Sequence, residues 1–521
     1  MNLGSEDDST VRVHPPLRMM QTATVLLLAS LFFAATAPAE EARPNFIVIN
    51  IDDLGYADIG PFGSTKNRTP NLDRMAKEGM RLTSFYAAPV CSPSRAMLMT
   101  GCYPKRVLPT PHVLFPASEV GLHPDEVTIA EILRDAGYTT GCIGKWHLGD
   151  QAPFLPNAQG FDFHHGIPYS NDMGTATEGS KSDLGAAPPK TEAGPKPGKM
   201  NPPETGLRGN AQPPLPMLRN GKVVARVKAA EQQALVADYT REAEAFIHRS
   251  KDQPFFLYLP HSSVHFPLYP GEKWVGRSPH GLYSDWVEET DWSVGRILET
   301  LRELGLDRRT LVLFTSDNGG TTRGSNAPLR GNKASTWEGG VRVPTIAWWP
   351  GRIPAGSSTS AIAGMFDVLP TFAKLAKGKL PERRIDGMDL SSLLLGAEGA
   401  KAHDEFLFYK GMTLEAVRIG RWKMMLEGAN APFRSEQPRK DAPLRLFDLE
   451  TDPSESTDVA EKNPEVVQRL MARVEKTDAD LGKTEAGPGV RPLGRVPKAS
   501  PLIEHDGTVR PDAIGPTPHF P

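Results

Sequence analysis

The sequence predicts an α/β fold with a mostly parallel central sheet, followed by a smaller antiparallel sheet towards the C-terminus. From residue 44 to about residue 400, short apolar runs rich in branched side chains alternate with amphipathic segments. Strands of a parallel sheet are buried on both faces, so they read as continuous apolar runs. Beyond about residue 402 the runs alternate between apolar and polar residues, which is typical of antiparallel strands.

The predicted elements of the first part follow one another as strand, loop and helix. Buried strands are predicted in PNFIVINIDD, YTTGCIG, PFFLYLPHSS, TLVLFTSDNGG and VRVPTIAWWPG, because each is a short run of branched or aromatic residues. Helices are predicted in NLDRMAKEGM, TIAEILRDAG, ALVADYTREAEAFIHRS and Leu282–Leu304, where apolar residues recur at helical spacing. In such folds, ligands bind beyond the carboxyl ends of the strands.

The remaining segments divide the chain after residue 39 into three parts, the first of which contains a loop insertion. EFLFYK, AVRIG, RWKMML and LRLFDL predict a C-terminal sheet, and NPEVVQRLMARVEKTDADL predicts a final helix. The predicted parts are a catalytic domain at 40–400 and a C-terminal subdomain at 401–482. Residues 173–222 lack apolar periodicity and are expected to form a long loop insertion. Residues 483–521 are rich in Pro and Gly and are expected to form a partly disordered tail.

The first 39 residues are predicted to be a secretory signal peptide. Arg12 and Arg18 precede the apolar run TVLLLASLFFAATA, and an A-P-A step ends at Ala39. A basic region, a short apolar core and small residues at the cleavage point define such signals, and the run is short for a membrane-spanning helix. Export to the periplasm or the extracellular space is therefore predicted, with an uncleaved anchor as the alternative.

Composition limits the partners that the exported protein can have. The formal net charge is −3 and no long basic run is present, so a nucleic-acid partner is not expected. No later segment reaches membrane-spanning length, so no stable membrane partner is expected. Three cysteines cannot all form disulfides. Cys102 and Cys142 either pair or act as small buried hydrophobes, whereas Cys91 lies in CSPSR, which reads as a tight, proline-containing turn.

Two oxygen-rich pairs follow predicted buried strands. Asp52 and Asp53 end the first strand, and Asp317 and Asn318 end the strand TLVLFTS. Carboxylate and amide oxygens are hard ligands that select Ca²⁺ or Mg²⁺. Either pair alone is better explained as turn or helix-capping residues. Two pairs at equivalent strand ends favour a metal site.

Three further segments carry residues that can bind an anion or move a proton. Lys145 and His147 in GKWHLG are two residues apart, so in an extended segment they point the same way, and together they suit a tetrahedral anion. His261 or His265 in PHSSVHFP is a candidate general acid. Lys333 lies in a glycine-flanked loop that allows a ligand to approach closely. The alternatives are solvated lysines and packed histidines.

The motifs together resemble the type I sulfatase family, and its arylsulfatase A-like branch in particular. CSPSRAMLMTG matches the family's C-x-P-x-R signature and its flank, and the resemblance covers roughly residues 43–480. Further family blocks follow in the family's order: IDDLGYADIG, GKWHLG, SDNGG, LRGNKASTWEGGVRVP and RLFDLETDPSESTDVA. The resemblance implies an alkaline-phosphatase-like α/β sandwich with a smaller C-terminal sheet, which agrees with the strands predicted above.

The resemblance also implies a modified residue and a metal. Cys91 would be oxidised to formylglycine before folding, by a formylglycine-generating or other sulfatase-maturing enzyme that reads Pro93 and Arg95. Arg95 would then stabilise the formylglycine hydrate through charge-assisted hydrogen bonds. The implied metal is Ca²⁺, with Mg²⁺ as the alternative. Its implied ligands are Asp52, Asp53, Asp317, Asn318 and the modified Cys91.

The resemblance assigns roles to the other candidates in the hydrolysis of a sulfate monoester. Lys145 and Lys333 would bind sulfate oxygens, assisted by Ser170. One hydroxyl of the hydrate would attack sulfur and form a covalent intermediate, while Lys333 or His265 protonates the leaving alcohol. The second hydroxyl would lose its proton to His147 and expel sulfate.

The implied substrate is a sulfated small molecule or carbohydrate. The sequence leaves open a phosphonate or phosphate monoester hydrolase of the same fold, as well as a non-catalytic binding protein. Residues that select the substrate are expected in 173–222, around Asn171 and Asp172, near Trp274 and His280, and near Arg323 to Arg330.

Overall fold

The computed structural model describes most of the chain after the predicted signal segment. The described residues are 1, 43–189, 204, 206–430 and 442–514. The predicted signal at 1–39 therefore lies outside them except for Met1, and so do parts of the predicted insertion and tail. Among the described helices, none combines the length and apolar character needed to cross a bilayer.

The strands and helices of the described residues occur in the order expected of an α/β chain with a C-terminal sheet. The strands are β1 (Asn45–Ile51), β2 (Met80–Leu82), β3 (Phe85–Tyr86), β4 (Val120–Gly121), β5 (Thr139–Ile143), β6 (Phe163–Gly166), β7 (Pro216–Arg219), β8 (Lys222–Arg226), β9 (Phe255–Pro260), β10 (Thr310–Ser316), β11 (Thr345–Trp348), β12 (Ser357–Thr359), β13 (Ala363–Gly364), β14 (Glu405–Lys410), β15 (Thr413–Ile419), β16 (Trp422–Met425), β17 (Arg445–Asp448) and β18 (Gly494–Arg495). The α-helices are α1 (Pro70–Glu78), α2 (Cys91–Thr100), α3 (Pro104–Val107), α4 (Ile129–Asp135), α5 (Ala229–Ser250), α6 (Leu282–Glu303), α7 (Glu338–Val341), α8 (Val368–Ala376), α9 (Ser391–Leu394) and α10 (Pro464–Glu475).

A ten-stranded sheet forms the centre of the described fold. Its strand order is β12, β2, β11, β10, β1, β9, β5, β6, β7 and β8. The five strands from β10 to β6 run parallel, whereas β2, β11, β7 and β8 make antiparallel pairings towards the edges. The predicted α/β fold with a mostly parallel sheet is confirmed.

Both faces of the central sheet are covered, as continuous apolar strands require. In β1, Phe46 and Val48 belong to one buried apolar cluster, whereas Ile47 and Ile49 belong to another. Helices α2, α4 and α8 contribute to the first cluster, and α1, α5 and α6 contribute to the second. Alternate side chains of one strand therefore fill the two layers of the sandwich.

The C-terminal strands form the predicted antiparallel sheet. Strands β14, β15, β16 and β17 pair in chain order. Helix α10 packs Leu470 and Val474 into the same apolar cluster as Met424 and Leu446 of the sheet. The helix is shorter than the predicted segment, because the chain continues from residue 476 as a 3-10 turn.

Two segments predicted to lack regular structure contain strands. Within 173–222, β7 pairs with β6 and extends the central sheet. Within 483–521, β18 pairs with β4, and Leu502 packs beside Leu218 of β7. Their composition gave no sign of this order, because the pairing partners lie far away in the sequence. Residues 190–203 and 515–521 are outside the described residues.

Candidate active site

The two oxygen-rich pairs meet at the carboxyl ends of adjacent parallel strands. Ile51 of β1 lies opposite Ser316 of β10, so Asp52 and Asp317 leave the sheet side by side. The backbone N–H of Asp53 donates to Asp317 Oδ1 at 3.3 Å, and Asn318 Nδ2 donates to Asp53 Oδ1 at 2.8 Å. All four side chains are buried. The structure thus brings together the four residues that the sequence placed at strand ends.

Cys91 is the first residue of helix α2, so the prediction of a tight turn at CSPSR is wrong. Val90 precedes the helix in an extended conformation, and Pro93 lies in the first turn. Proline is accepted there because first-turn N–H groups have no partner within the helix. Cys91 Sγ lies 3.3 Å from Asp52 Oδ1. The N-terminus of the helix carries partial positive charge, which favours an anion beside residue 91.

Arg95 and Lys145 neutralise the buried carboxylates. The Arg95 guanidinium donates to Asp317 Oδ2 through Nε at 3.0 Å and Nη2 at 2.8 Å. Its Nη2 also lies 3.6 Å from Asp52 Oδ2. Lys145 Nζ forms an ion pair with Asp52 and donates to Ser170 Oγ at 3.2 Å. Burial opposes ionisation of Asp52, but Lys145 and the other nearby cations hold its pKa well below the usual range.

Lys333, from the loop that precedes α7, reaches the same centre. Its Nζ lies 2.7 Å from Asp53 Oδ1 and 3.5 Å from Cys91 Sγ. Burial, followed by Asp317 and Asp52, raises the pKa of the Cys91 thiol well above its ordinary value. An unmodified cysteine here is therefore held as a neutral thiol.

His265 belongs to the site and His261 does not. His265 Nδ1 lies 3.2 Å from Ser170 Oγ, and its Nε2 lies 3.7 Å from Asp53 Oδ2. His261 is buried beside Ser293 Oγ at 3.1 Å, where burial lowers its pKa to about 3. The sequence left both histidines as candidates, and the resemblance favoured the one that the structure places at the site.

One ring nitrogen of His147 is hydrogen-bonded, and the other is available to accept a proton. Its Nε2 lies 2.9 Å from the carbonyl oxygen of Leu114. A carbonyl oxygen can only accept a hydrogen bond, so Nε2 of His147 carries the ring proton. The buried Nδ1 has no hydrogen-bond partner among the described residues, so it can accept a proton. Burial, then Lys145 and Arg95, lower the pKa of His147 well below its ordinary value. The backbone at His147 is left-handed, with φ of 67°, so the expected extended segment is not observed.

The donor atoms at this centre suit a hard divalent cation. One ligand atom each from Asp52, Asp53, Cys91 and His265 lies within 4.8 Å of the others. Asn318 Oδ1 is buried and has no hydrogen-bond partner in the described part of the chain. Such an orphaned acceptor costs free energy unless it binds something. Carboxylate and amide oxygens beside residue 91 therefore fit Ca²⁺ or Mg²⁺.

The sequence gave no indication of how the Lys333 loop is held. Lys423 of β16 is fully buried and its Nζ lies 2.9 Å from Glu338 Oε1 and 2.9 Å from Glu455 Oε1. The same nitrogen donates to the backbone oxygen of Thr336 at 2.8 Å. The C-terminal sheet thus fixes the chain three residues after Lys333. In the sequence, Lys423 is simply one polar residue of the alternating strand RWKMML, and nothing marks it as buried.

The three cysteines are free and buried, which decides between the two expectations for Cys102 and Cys142. Cys102 Sγ accepts a hydrogen bond from Arg491 Nη2 at 3.0 Å, and Cys142 lies in β5 within the apolar core. Both behave as small buried side chains.

Comparison with known proteins agrees with this arrangement. A family model described as Sulfatase matches residues 44–379, and one described as the C-terminal region of aryl-sulfatase matches residues 401–487. Arylsulfatase A of Homo sapiens is 39% identical over 94% of this chain and 99% of its own length. Steryl-sulfatase of Mus musculus is 38% identical over 85% of this chain and 83% of its own length.

A solved structure with the same fold gives a further match. The crystal structure of Ps i-CgsB in complex with k-i-k-neocarrahexaose superposes with a TM-score of 0.67 and 30% sequence identity, covering 83% of this chain and 92% of that one. The family models and the curated relatives span both the central sheet and the C-terminal sheet. The chain belongs to the sulfatase family and is a sulfuric ester hydrolase.

Proposed function

We propose that this enzyme hydrolyses the sulfate ester of a carbohydrate through a formylglycine hydrate formed at residue 91 and a covalent sulfate ester of that residue. The observation that carries the proposal is the position of Cys91 at the N-terminus of α2. There it is surrounded by Arg95, Lys145 and Lys333, with the carboxylates at the strand ends beneath it. This arrangement suits a tetrahedral anion carried on residue 91.

The protonation state of Cys91 supports its modification. A buried thiol with a raised pKa is a weak nucleophile, because the thiolate is the reactive form. A geminal diol offers two hydroxyl groups, one to attack sulfur and one to release sulfate. Arg95, which already contacts Asp52 and Asp317, is placed to stabilise the diol. The proposal requires a maturing enzyme in the producing cell.

Different site residues are the candidates for donating and for accepting protons. Lys333 and His265 flank Asp53 and are the candidate donors to the leaving alcohol. His147 Nδ1 is the candidate acceptor for the second hydroxyl, since its low pKa keeps it neutral. Lys145 and Ser170 hydrogen-bond each other and are the candidate contacts to sulfate oxygens. Together they supply both a positive surface and a separate acid and base.

Asp52, Asp53, Asp317 and Asn318 are the candidate ligands of Ca²⁺, together with an oxygen of the modified residue 91. A bound divalent cation would offset the carboxylates and polarise oxygens at the reacting centre. Mg²⁺ is the alternative occupant. The carboxylates sit at fixed strand ends, so the residues that hold the metal are positioned by the sheet itself.

Removal of the metal is expected to abolish activity and lower thermal stability. Dialysis against a chelator should reduce hydrolysis of 4-nitrophenyl sulfate by at least about 100-fold, because the cation that would polarise oxygens at the reacting centre is removed. Restoring Ca²⁺ should return both the rate and the melting temperature. Full activity after dialysis, with less than one metal ion per ten chains by mass spectrometry, would show that the site works without it.

The carbohydrate part of the proposal is supported by the relative Ps i-CgsB, which was crystallised with k-i-k-neocarrahexaose. The name of the steryl-sulfatase relative points to a different alcohol, so the substrate class needs a direct test. The predicted signal peptide supports action outside the cytoplasm, where sulfated polysaccharides are met. Periplasmic or extracellular localisation is part of the proposal.

The experiment that tests the proposed function compares matched esters. We expect kcat/KM for 4-nitrophenyl sulfate to exceed that for 4-nitrophenyl phosphate and for a phenyl phosphonate by at least about 100-fold. A panel of sulfated mono- and oligosaccharides and a steroid sulfate then identifies the alcohol. Faster hydrolysis of the phosphate or phosphonate would assign the site to the other class of ester. Faster hydrolysis of the steroid sulfate would refute the carbohydrate assignment.

A further inference from the structure

A second groove lies outside the active site, between helices α5 and α6. Its volume is about 570 Å³, which is within the range of about 300 to 1,000 Å³ seen for small-molecule sites. Its floor is the exposed stripe of α5 that carries Ala234 and Ala237. Its wall is formed by Trp274 and Trp292. We call it the tryptophan groove, and none of the candidate active-site residues lines it.

The two tryptophans that give the groove its name are partly exposed and adjacent. The ring centroids of Trp274 and Trp292 lie 6.2 Å apart, with 47° between the ring planes. Neither ring is buried in the core, and Val275 beside them is 43% exposed. Large apolar side chains gathered on a surface mark a binding site more often than chance placement.

The loop that carries Trp274 is held firmly against both helices. The backbone N–H of Gly271 donates to Glu289 Oε2 of α6 at 2.8 Å. Gln233 Nε2 of α5 donates to the carbonyl oxygen of Pro270 at 3.1 Å. The backbone N–H of Trp274 donates to the carbonyl oxygen of Gly271 at 2.7 Å. The aromatic wall is therefore preorganised, and a ligand loses less entropy on binding to it.

The polar groups of the groove favour a hydroxylated anion over a wholly apolar ligand. Lys273 and Arg277 are exposed at the rim, and the Arg277 guanidinium lies 4.8 Å from the Trp274 ring centroid. Glu272 is the exposed acid among the lining residues. Glu289 is buried beneath the loop, and burial raises its pKa to about 8, so it opposes an anion less than an exposed carboxylate would.

The groove is also close enough to the active site to serve the same substrate chain. Gly271 lies six positions after His265 in the chain, so their Cα atoms are no more than roughly 20 Å apart. Thr290 of α6 donates to Ser263 Oγ at 2.8 Å, two residues before His265. An oligosaccharide of several units spans such a distance.

We propose that the tryptophan groove binds a sugar unit of a sulfated oligosaccharide, remote from the ester that is hydrolysed. The aromatic rings would pack against the apolar faces of a pyranose ring, and the rim cations would meet its sulfate groups. This inference rests on the proposed carbohydrate substrate. It adds a binding site that the small assay substrate does not use.

Calorimetric titration of the full-length Cys91→Ala protein tests the groove without turnover. The probes are a dextran sulfate hexasaccharide and an unsulfated dextran hexasaccharide. We expect Trp292→Ala in this background to weaken binding of the sulfated probe by about tenfold or more, because the aromatic wall is lost. Ala234→Glu should weaken it similarly, since it adds bulk and negative charge at an exposed helical position that tolerates glutamate. The unsulfated probe should bind more weakly than the sulfated one.

Trp422→Ala is the matched control, because Trp422 is also partly exposed and also has an arginine, Arg421, against its ring at 5.7 Å. In the Cys91→Ala background, the Trp422→Ala variant should bind the sulfated probe as tightly as the Cys91→Ala protein does. In the active enzyme, Trp292→Ala and Ala234→Glu should leave kcat/KM for 4-nitrophenyl sulfate unchanged. No binding of the sulfated probe, or equal binding by parent, Trp292→Ala and Ala234→Glu, would overturn the inference. Failure of the proposed function would appear separately, as absent turnover of 4-nitrophenyl sulfate.

Discussion

Replacing Cys91 with alanine is expected to lower kcat/KM for 4-nitrophenyl sulfate by at least about 10⁴-fold, since the variant has no nucleophile. The fold should survive. Cys91 makes one weak contact to Asp52 and one to Lys333, and alanine is accepted at the first position of a helix. The measurements are the rate, the melting temperature and the far-ultraviolet circular dichroism of both proteins.

Mass spectrometry of the peptide that contains residue 91 completes this experiment. The active protein should carry an aldehyde about 18 Da lighter than the thiol, and the fraction modified should track the specific activity between preparations. Cys142→Ala is the matched control, because Cys142 is equally buried but lies in the apolar core. A protein that is fully active with an entirely unmodified Cys91 would refute the formylglycine proposal.

Replacing Lys423 with methionine is expected to give the largest loss of stability, about 3 to 5 kcal/mol in the free energy of unfolding. The substitution leaves the buried carboxylates of Glu338 and Glu455 without the ammonium that lies 2.9 Å from each. It also removes the hydrogen bond to the Thr336 oxygen, so the Lys333 loop loses an anchor. Urea denaturation measures the loss in the free energy of unfolding. Because the Lys333 loop loses an anchor, kcat for 4-nitrophenyl sulfate should fall as well.

Two control variants isolate the cause of that loss. Lys423→Arg keeps the positive charge and should recover part of both the stability and the rate. Lys483→Met removes a lysine whose ion pair with Asp478 is largely exposed, and such a pair contributes at most about 1 kcal/mol. If Lys423→Met lowers the free energy of unfolding no more than Lys483→Met does, the buried ion pairs of Lys423 with Glu338 and Glu455 do not hold the Lys333 loop.

The sequence predicted the parts of this protein in which one local pattern determines one outcome. The run FIVINI is apolar without alternation, which specifies a strand covered on both faces, and β1 is such a strand. The acidic pairs Asp52–Asp53 and Asp317–Asn318 could be placed together because parallel strands end at the same edge of a sheet. These inferences needed no knowledge of distant contacts.

What the sequence could not predict depends on contacts between distant residues. CSPSR contains a proline and two serines, which are typical of turns, but it forms the start of α2, whose later residues pack into the apolar core. The strand β7 is ordered by its pairing with β6. Lys423 is buried only because Glu338 and Glu455 reach it from elsewhere in the chain. Local composition carries no information about such partners.

The order of strands in the central sheet limits when the proposed modification of residue 91 could take place. In the folded protein Cys91 is only 2% exposed, so an enzyme that modifies it must act before the sheet closes. Strand β1 pairs with β9 and β10, and Phe46 meets Phe256 some 210 residues later in the chain. Residue 91 precedes Phe256 by about 165 residues, so at synthesis rates of about 5 to 20 residues per second β9 follows it by roughly 8 to 33 s. The proposed formylglycine at residue 91 would therefore have to form in the growing chain, before β9 and β10 pair with β1.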